Sequence, residues 1–65
     1  MKNRLKVLRA ENDWSQEDLG TRVGVSRQAI IAIEKGKHDP SLLLAFNLSE
    51  VFNLKIEEIF SKEKN

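Results

Sequence analysis

The apolar positions between residues 16 and 35 predict two short helices that meet across a turn. Spacings of three or four residues place side chains on one face of a helix. The apolar residues with this spacing are Leu19 and Val23, then Ile30 and Ile33. Gly24 lies between the two helices and suits the left-handed backbone that ends a helix. The stretch therefore predicts a helix-turn-helix whose two helices share one core.

Both predicted helices begin with a capping signal. Ser15 precedes the first helix and Asp18 follows three residues later, which is a weak form of the capping box. Ser26 precedes the second helix in the same way. Gly20 lies inside the first helix, where glycine costs roughly 1 kcal/mol relative to alanine. We therefore expect a close approach at Gly20, and a steep crossing that leaves the start of the second helix projecting outward.

The remaining chain predicts three more helices joined by short loops. They span residues 2–11, 42–52 and 55–60, and each has an apolar stripe at helical spacing. Ser41 is a candidate N-cap of the helix over 42–52, and Asn53 a candidate C-cap. No segment alternates apolar and polar residues, so the fold class is all-α. We predict a single compact domain over 1–65 in which residues 61–65 fray.

The composition limits what this domain can be. At 65 residues it lies near the lower limit for folding on a hydrophobic core alone, so association would help to stabilise it. Without cysteine, and with one histidine, it offers no disulfide and no zinc ligand set. The longest apolar run, residues 42–46, is too short to span a bilayer, and no signal-peptide pattern is present. We expect a soluble cytoplasmic protein without membrane, metal or cofactor.

Enzymatic function finds no support among the residues. There is one histidine, no cysteine or tyrosine, and no glycine-rich phosphate loop. Glu57 and Glu58 are adjacent and point apart on a helix, so they cannot act as a pair of carboxylates. The sequence therefore indicates a binding protein.

The distribution of charge is more informative than the net charge of +1. Residues 1–38 contain eight basic and five acidic residues, which gives +3. Residues 39–65 contain three basic and five acidic residues, which gives −2. A basic first half and an acidic second half would let one side of the domain face phosphates.

Several spaced motifs together resemble the phage Cro and lambda-repressor class of helix-turn-helix proteins, the XRE family. The resemblance covers nearly the whole chain. Its motifs are residues 5–9, Ser15-Gln16-Glu17-Asp18-Leu19, Gly24-Val25-Ser26, Ile30, Ile33-Glu34-Lys35-Gly36, Pro40-Ser41-Leu42 and Ile56-Glu57-Glu58-Ile59-Phe60. It implies a five-helix lambda-repressor-like fold and a homodimer that binds double-stranded DNA at a palindromic operator.

The resemblance implies that the second helix of the motif contacts bases. Arg27 and Gln28 take the first exposed positions of that helix, and Ile31 shares their surface. Arginine suits O6 and N7 of guanine, glutamine suits N6 and N7 of adenine, and isoleucine can meet a thymine methyl group.

The resemblance also implies phosphate contacts at Gln16, Ser26, Lys35 and Lys37. The matching family glutamine contacts a phosphate and braces the recognition helix. Glu34 is predicted to be structural and paired with a basic residue of the first helix, because an unpaired carboxylate near phosphates would be repelled.

Leu43 and Phe46 fall outside the apolar stripe of the fourth helix. They either pack against the fifth helix or form a dimer interface that also includes Ile59 or Phe60. We expect the dimer, because so small a domain gains stability from association.

Two functions are consistent with these residues. The first is a transcriptional repressor, consisting of little beyond its DNA-binding domain, that occludes a promoter. The alternative is a protein-interaction module on the same fold, such as an antitoxin or an adaptor. The apolar Leu43 and Phe46 and the acidic second half favour this alternative.

Overall fold

Five short helices, joined by turns of a few residues, surround one apolar core in the computed structural model, which describes residues 1–62. The helices are α1 Leu5–Glu11, α2 Gln16–Val23, α3 Arg27–Glu34, α4 Leu42–Phe52 and α5 Ile56–Ile59. The strands are β1 Lys2–Asn3 and β2 Phe60–Ser61. The predicted all-α class is confirmed, with one small strand pair added. Residues 63–65, part of the end predicted to fray, lie outside the described residues.

The strand pair joins the two ends of the fold. β1 and β2 are antiparallel, with Lys2 opposite Ser61 and Asn3 opposite Phe60. The predicted fraying is therefore wrong for Ser61. Two-residue strands are too short to show any periodicity, so sequence patterning misses them.

This pairing also corrects the ends of two predicted helices. The helix expected over 2–11 begins only at Leu5, whose backbone N–H donates to Asn3 Oδ1 over 3.2 Å. The helix expected over 55–60 spans Ile56–Ile59, because Phe60 is extended in β2. In both cases residues with helical spacing are extended by pairing with a distant segment.

Local sequence signals determine five of the helix ends among the described residues. Ser15, Ser26 and Ser41 each accept a hydrogen bond from the backbone N–H three residues on, at 2.9, 3.1 and 3.1 Å. Gly24 and Asn53 end α2 and α4 in the left-handed conformation, with φ of 79° and 55°. All five predicted caps are confirmed.

The turn between α2 and α3 packs closely against Gly20. The Val25 N–H donates to the Gly20 carbonyl over 2.9 Å. A Cβ placed at Gly20 would lie 2.6 Å from the Val25 carbonyl oxygen, closer than two such atoms approach. The expected close approach is confirmed, and it sets how tightly α3 follows α2.

The core contains the residues that the apolar spacing predicted. The buried apolar side chains are Leu5, Leu8, Leu19, Val23, Ile30, Ile33, Leu44, Ala45, Leu48, Ile59 and Phe60. Ile59 and Phe60 are 1% and 6% exposed, which corrects their expected place in a dimer interface. Their apolar surface is already covered by the core of the same chain, so they offer little area to a partner.

One face of α4 remains uncovered. Leu42, Leu43 and Phe46 are 70%, 69% and 51% exposed, so intramolecular packing does not bury Leu43 and Phe46.

The longest helix, α4, is eleven residues long. Among the described residues, no helix has the length and hydropathy needed to cross a membrane.

The capping box of α2 should make the stability of the domain depend on acid pH. The Asp18 carboxylate accepts a hydrogen bond from the Ser15 N–H over 2.9 Å, and this bond, with that of the Ser15 side chain, lowers the pKa of Asp18. A lowered folded pKa stabilises the domain above the unfolded value of about 3.9, and the contribution is lost as pH falls through the folded value. Urea unfolding at a series of pH values should show a shallower acid loss in Asp18→Asn.

Glu17→Gln is the matched control for this prediction. Glu17 also lies in the first turn of α2, but its carboxylate makes no side-chain hydrogen bond within residues 1–62. Equal pH slopes for Asp18→Asn and the wild type would contradict the assignment.

Candidate nucleic-acid interface

Helix α3 presents polar side chains on the side opposite the core. Ile30 and Ile33 are buried, and they fix which face of α3 points inward. Arg27 and Gln28 are exposed at the start of the helix, and Ile31 is half-buried. A step of four residues brings Ile31 to the same side as Arg27. The structure thus brings the three predicted base-contacting residues together on one accessible surface.

A defined turn follows α3. The Gly36 N–H donates to the Ile33 carbonyl over 3.0 Å, and the Lys37 N–H donates to the Ala32 carbonyl over 2.9 Å. This pair of bonds, with Gly36 at φ 77°, is a Schellman motif that ends α3. Lys35 and Lys37 are exposed on this turn, so both ammonium groups are available next to the end of α3.

The carboxylate of α3 is paired with α1. Arg9 Nε and Nη2 donate to the two oxygens of Glu34 over 2.5 and 3.1 Å. The two side chains are 13% and 8% exposed. The hydrogen bonds to Glu34 raise the pKa of Arg9, with burial acting in the opposite direction. The prediction that Glu34 pairs with a basic residue of the first helix is confirmed.

Gln16 connects the start of α2 to the end of α3. Its Nε2 donates to Glu34 Oε1 over 3.2 Å, and its side chain is half-buried. The brace that the resemblance implied is therefore present, and its phosphate contact stays a prediction. Arg9 Nη1 also donates to the Trp14 carbonyl over 3.1 Å, just before α2 begins. Three helices are thus tied together at one corner of the domain.

The pairing of Glu34 determines the charge that the interface shows. Glu34 is the one carboxylate in residues 26–38, a segment that also contains Arg27, Lys35 and Lys37. Because Glu34 is buried against Arg9, the accessible charges of this segment are positive. Such a surface attracts the phosphates of nucleic acid.

Sequence reasoning missed two residues near this corner. Asn3 Nδ2 donates to the Ile33 carbonyl over 2.9 Å and thereby joins β1 to the end of α3. The centroid of the Trp14 ring lies 5.5 Å from that of the Phe52 ring and 4.3 Å from the Arg22 guanidinium carbon. An asparagine two residues before a helix does suggest a cap, but no local signal indicates its distant partner.

The described residues do not form a metal centre. Across residues 1–62, no three histidine, cysteine or acidic side chains lie close enough together to hold a metal ion.

Residues 5–59 match the sequence profile of the helix-turn-helix family. The chain belongs to this family. The resemblance to the XRE class is confirmed, and the helix-turn-helix protein is a transcriptional regulator and not an enzyme.

Individual relatives agree with this family. The helix-turn-helix protein is 60% identical over 63 residues to an uncharacterized HTH-type transcriptional regulator of Methanocaldococcus jannaschii, covering 97% of this chain and 96% of that protein. It is 30% identical over 59 residues to the cryptic phage CTXphi transcriptional repressor RstR of Vibrio cholerae, covering 91% and 53%. The crystal structure of the restriction-modification controller protein C.AhdI from Aeromonas hydrophila is similar with a TM-score of 0.78 at 30% identity, covering 88% and 86%.

Proposed function

We propose that this helix-turn-helix protein is a repressor that binds double-stranded DNA in a sequence-specific manner as a homodimer. The observation that carries the proposal is the accessible face of α3. It shows hydrogen-bonding side chains and positive charge, while the one carboxylate of residues 26–38 is buried against Arg9. The relative named as a phage transcriptional repressor supports the same function.

In the proposed complex the first turn of α3 enters the major groove. Arg27 donates to O6 and N7 of guanine, and Gln28 pairs with N6 and N7 of adenine. Ile31 contacts a thymine methyl group. Ala29 and Ala32 are small, so the helix can lie close to the base edges.

Phosphate contacts at both ends of α3 would hold this register. Ser26 Oγ already accepts from the Ala29 N–H, which leaves its own hydroxyl proton to donate to a phosphate. Gln16 can donate from the neighbouring helix, and Lys35 and Lys37 can grip the backbone beyond the end of α3.

A homodimer would place two copies of α3 on one face of the duplex. We assign its interface to Leu43 and Phe46, whose exposure of 69% and 51% is unusual for large apolar side chains. A two-fold dimer presents the same patch from both copies and matches a palindromic operator. Binding over a promoter would then repress by occlusion.

The test is selection of bound sequences from a random duplex library at near-physiological salt. We expect a palindromic consensus with half-sites about one helical turn apart. The double variant Arg27→Ala/Gln28→Ala, selected in parallel, should lose that consensus. If the folded wild-type protein shows no enrichment, the proposal is wrong.

A protein-interaction module is the second candidate function. The exposed Leu42, Leu43 and Phe46 favour it, because they form an apolar surface that a protein partner could cover. A partner that co-purifies, together with no duplex binding even at low salt, would support this function over the first.

Lys37→Ala should weaken binding to every sequence by the same factor. A lysine that neutralises a phosphate releases counterions whatever the base sequence, so the slope of log affinity against log salt should fall by about 1. Titration of the consensus duplex and of a scrambled duplex over a range of salt concentrations measures both effects.

Lys55→Ala is the control for this prediction. Lys55 is also exposed, but it lies in the acidic second half of the chain, between α4 and α5. A change of base preference in Lys37→Ala, or an equal loss in Lys55→Ala, would contradict a phosphate contact at Lys37.

A further inference from the structure

One carboxylate oxygen joins the buried ion pair to the proposed phosphate contact. Glu34 Oε1 accepts from Arg9 Nη2 over 3.1 Å and from Gln16 Nε2 over 3.2 Å. We propose that Arg9 and Glu34 are positioning residues for Gln16, so that an ion pair that touches no DNA sets the affinity for DNA. This inference rests on the proposed function and assigns a role within it.

The hydrogen bond to Glu34 determines the orientation of the Gln16 amide. An ionised carboxylate only accepts hydrogen bonds, so the NH2 group of Gln16, and not its carbonyl, must face Glu34. The amide nitrogen has two N–H donors, and this bond uses one of them. A phosphate oxygen also only accepts, so the second N–H is the donor that a phosphate requires. The bond to Glu34 thus selects the amide rotamer that is competent to bind DNA.

The charge of Glu34 is compensated by Arg9. An NH2 group that bridges a carboxylate and a phosphate brings two anions together, and their repulsion would oppose DNA binding. Arg9 removes this cost by pairing with both oxygens of Glu34. Both partners are largely shielded from water, so the pair behaves as a neutral unit towards an approaching phosphate. Glu34 can therefore orient Gln16 without repelling the DNA.

Arg9 also fixes the position of Gln16 relative to α3. Arg9 Nη1 donates to the Trp14 carbonyl, and Gln16 is the first residue of α2. The same guanidinium therefore fixes the backbone that enters α2 and the carboxylate at the end of α3. The hydrogen bond to Glu34 restricts the Gln16 side chain before DNA binds, so binding does not have to bear the full entropic cost of ordering it. Its phosphate contact is held in register with the bases that α3 faces.

A double-mutant cycle tests this role. In Arg9→Met/Glu34→Met, apolar side chains of similar length replace the pair, a change that commonly preserves stability. The probe is a fluorescent duplex of fixed arbitrary sequence at low salt, because a phosphate contact does not depend on sequence. We expect Gln16→Ala to weaken binding about tenfold, and Arg9→Met/Glu34→Met to weaken it by a similar factor. The DNA affinity of the triple variant should lie within about twofold of that of Gln16→Ala or of the Met pair, because both changes remove the same phosphate contact.

Glu34→Asp provides a second variant that keeps the charge of the pair. The shorter side chain can still face Arg9 but withdraws from Gln16, so it should also lose about tenfold in affinity. Glu57→Asp makes the same chemical change at an exposed position of α5 and should leave binding unchanged. Relaxation of the Gln16 side-chain amide by NMR should show an ordered group in the wild type and a mobile one in Glu34→Asp.

The outcomes separate this inference from the proposed function. If the wild type binds DNA but the effects of Gln16→Ala and of the Met pair are additive, the positioning role is wrong and the proposed function stands. An ordered Gln16 amide and unchanged DNA affinity in Glu34→Asp would also overturn the positioning role and leave the proposed function in place. If the wild type binds no duplex at all, both proposals are overturned.

Discussion

Replacing Glu34 with alanine is expected to lower the free energy of unfolding by about 3–5 kcal/mol. The substitution leaves the Arg9 guanidinium, in a side chain that is 13% exposed, without the carboxylate that compensates its charge. A buried charge without a partner has lost its hydration, and no protein group replaces the lost interactions with water. The two hydrogen bonds from Arg9 to Glu34 and the bond from Gln16 are lost together.

This loss is large for so small a domain. At about 0.05–0.15 kcal/mol per residue, a chain of 65 residues has a total stability of about 3–10 kcal/mol. The substitution should therefore remove a large share of the total stability. Urea unfolding, followed by far-UV circular dichroism and by the fluorescence of Trp14, the single tryptophan, measures the change.

Two comparisons control the Glu34 prediction. Arg9→Met/Glu34→Met removes both charges together and should retain most of the stability, because no uncompensated charge remains. Glu50→Ala removes an exposed carboxylate from α4 and should change the free energy of unfolding by less than about 0.5 kcal/mol. If Glu34→Ala costs no more than Glu50→Ala, the pair does not stabilise the fold.

Replacing Arg27 with alanine is expected to weaken binding to the selected consensus by about 1–3 kcal/mol, roughly 5- to 150-fold. A bidentate contact to guanine uses two donors that no other base pair accepts in the same geometry. Loss of that contact should also make the protein indifferent to the base at one position of each half-site. The proposal that α3 contacts bases predicts both effects together.

Fluorescence anisotropy with duplexes that carry each of the four bases at that position measures this effect. Once the guanine is replaced, the wild type and Arg27→Ala should bind with similar affinity, because the contact is then absent from both. Arg22→Ala is the matched control, since Arg22 is an exposed arginine of the same motif whose guanidinium lies over Trp14. Unchanged base preference in Arg27→Ala would refute the assignment of α3 as the recognition helix.

The helices of this domain are predictable because their signals are local. The serine caps, the left-handed positions Gly24 and Asn53, and the apolar spacing all act within about one helical turn. The strand pair is not predictable in this way. Its two segments, β1 and β2, lie at opposite ends of the described chain, and each is too short to show a pattern.

The candidate site also contains features that local sequence predicts and features that depend on tertiary packing. Exposure of Arg27 and Gln28 follows from the helical period, because burying Ile30 and Ile33 turns the other side of α3 outward. The burial of Ile59 and Phe60 does not follow, because an apolar residue near a chain end fits a core and a dimer interface equally well. Packing of α5 against the rest of the domain decides between these two places.

The sequence by itself determined the presence of five helices, the caps of α2, α3 and α4, the helix-turn-helix and a partner for Glu34 somewhere on the first helix. Only the tertiary structure decided that this partner is Arg9, 25 positions away, and that Gln16 and the Trp14 carbonyl share the same corner. The physical reason is the separation along the sequence over which each interaction acts. Helix propensity and capping depend on neighbours within a few residues, whereas a buried ion pair depends on how three helices pack and exclude water.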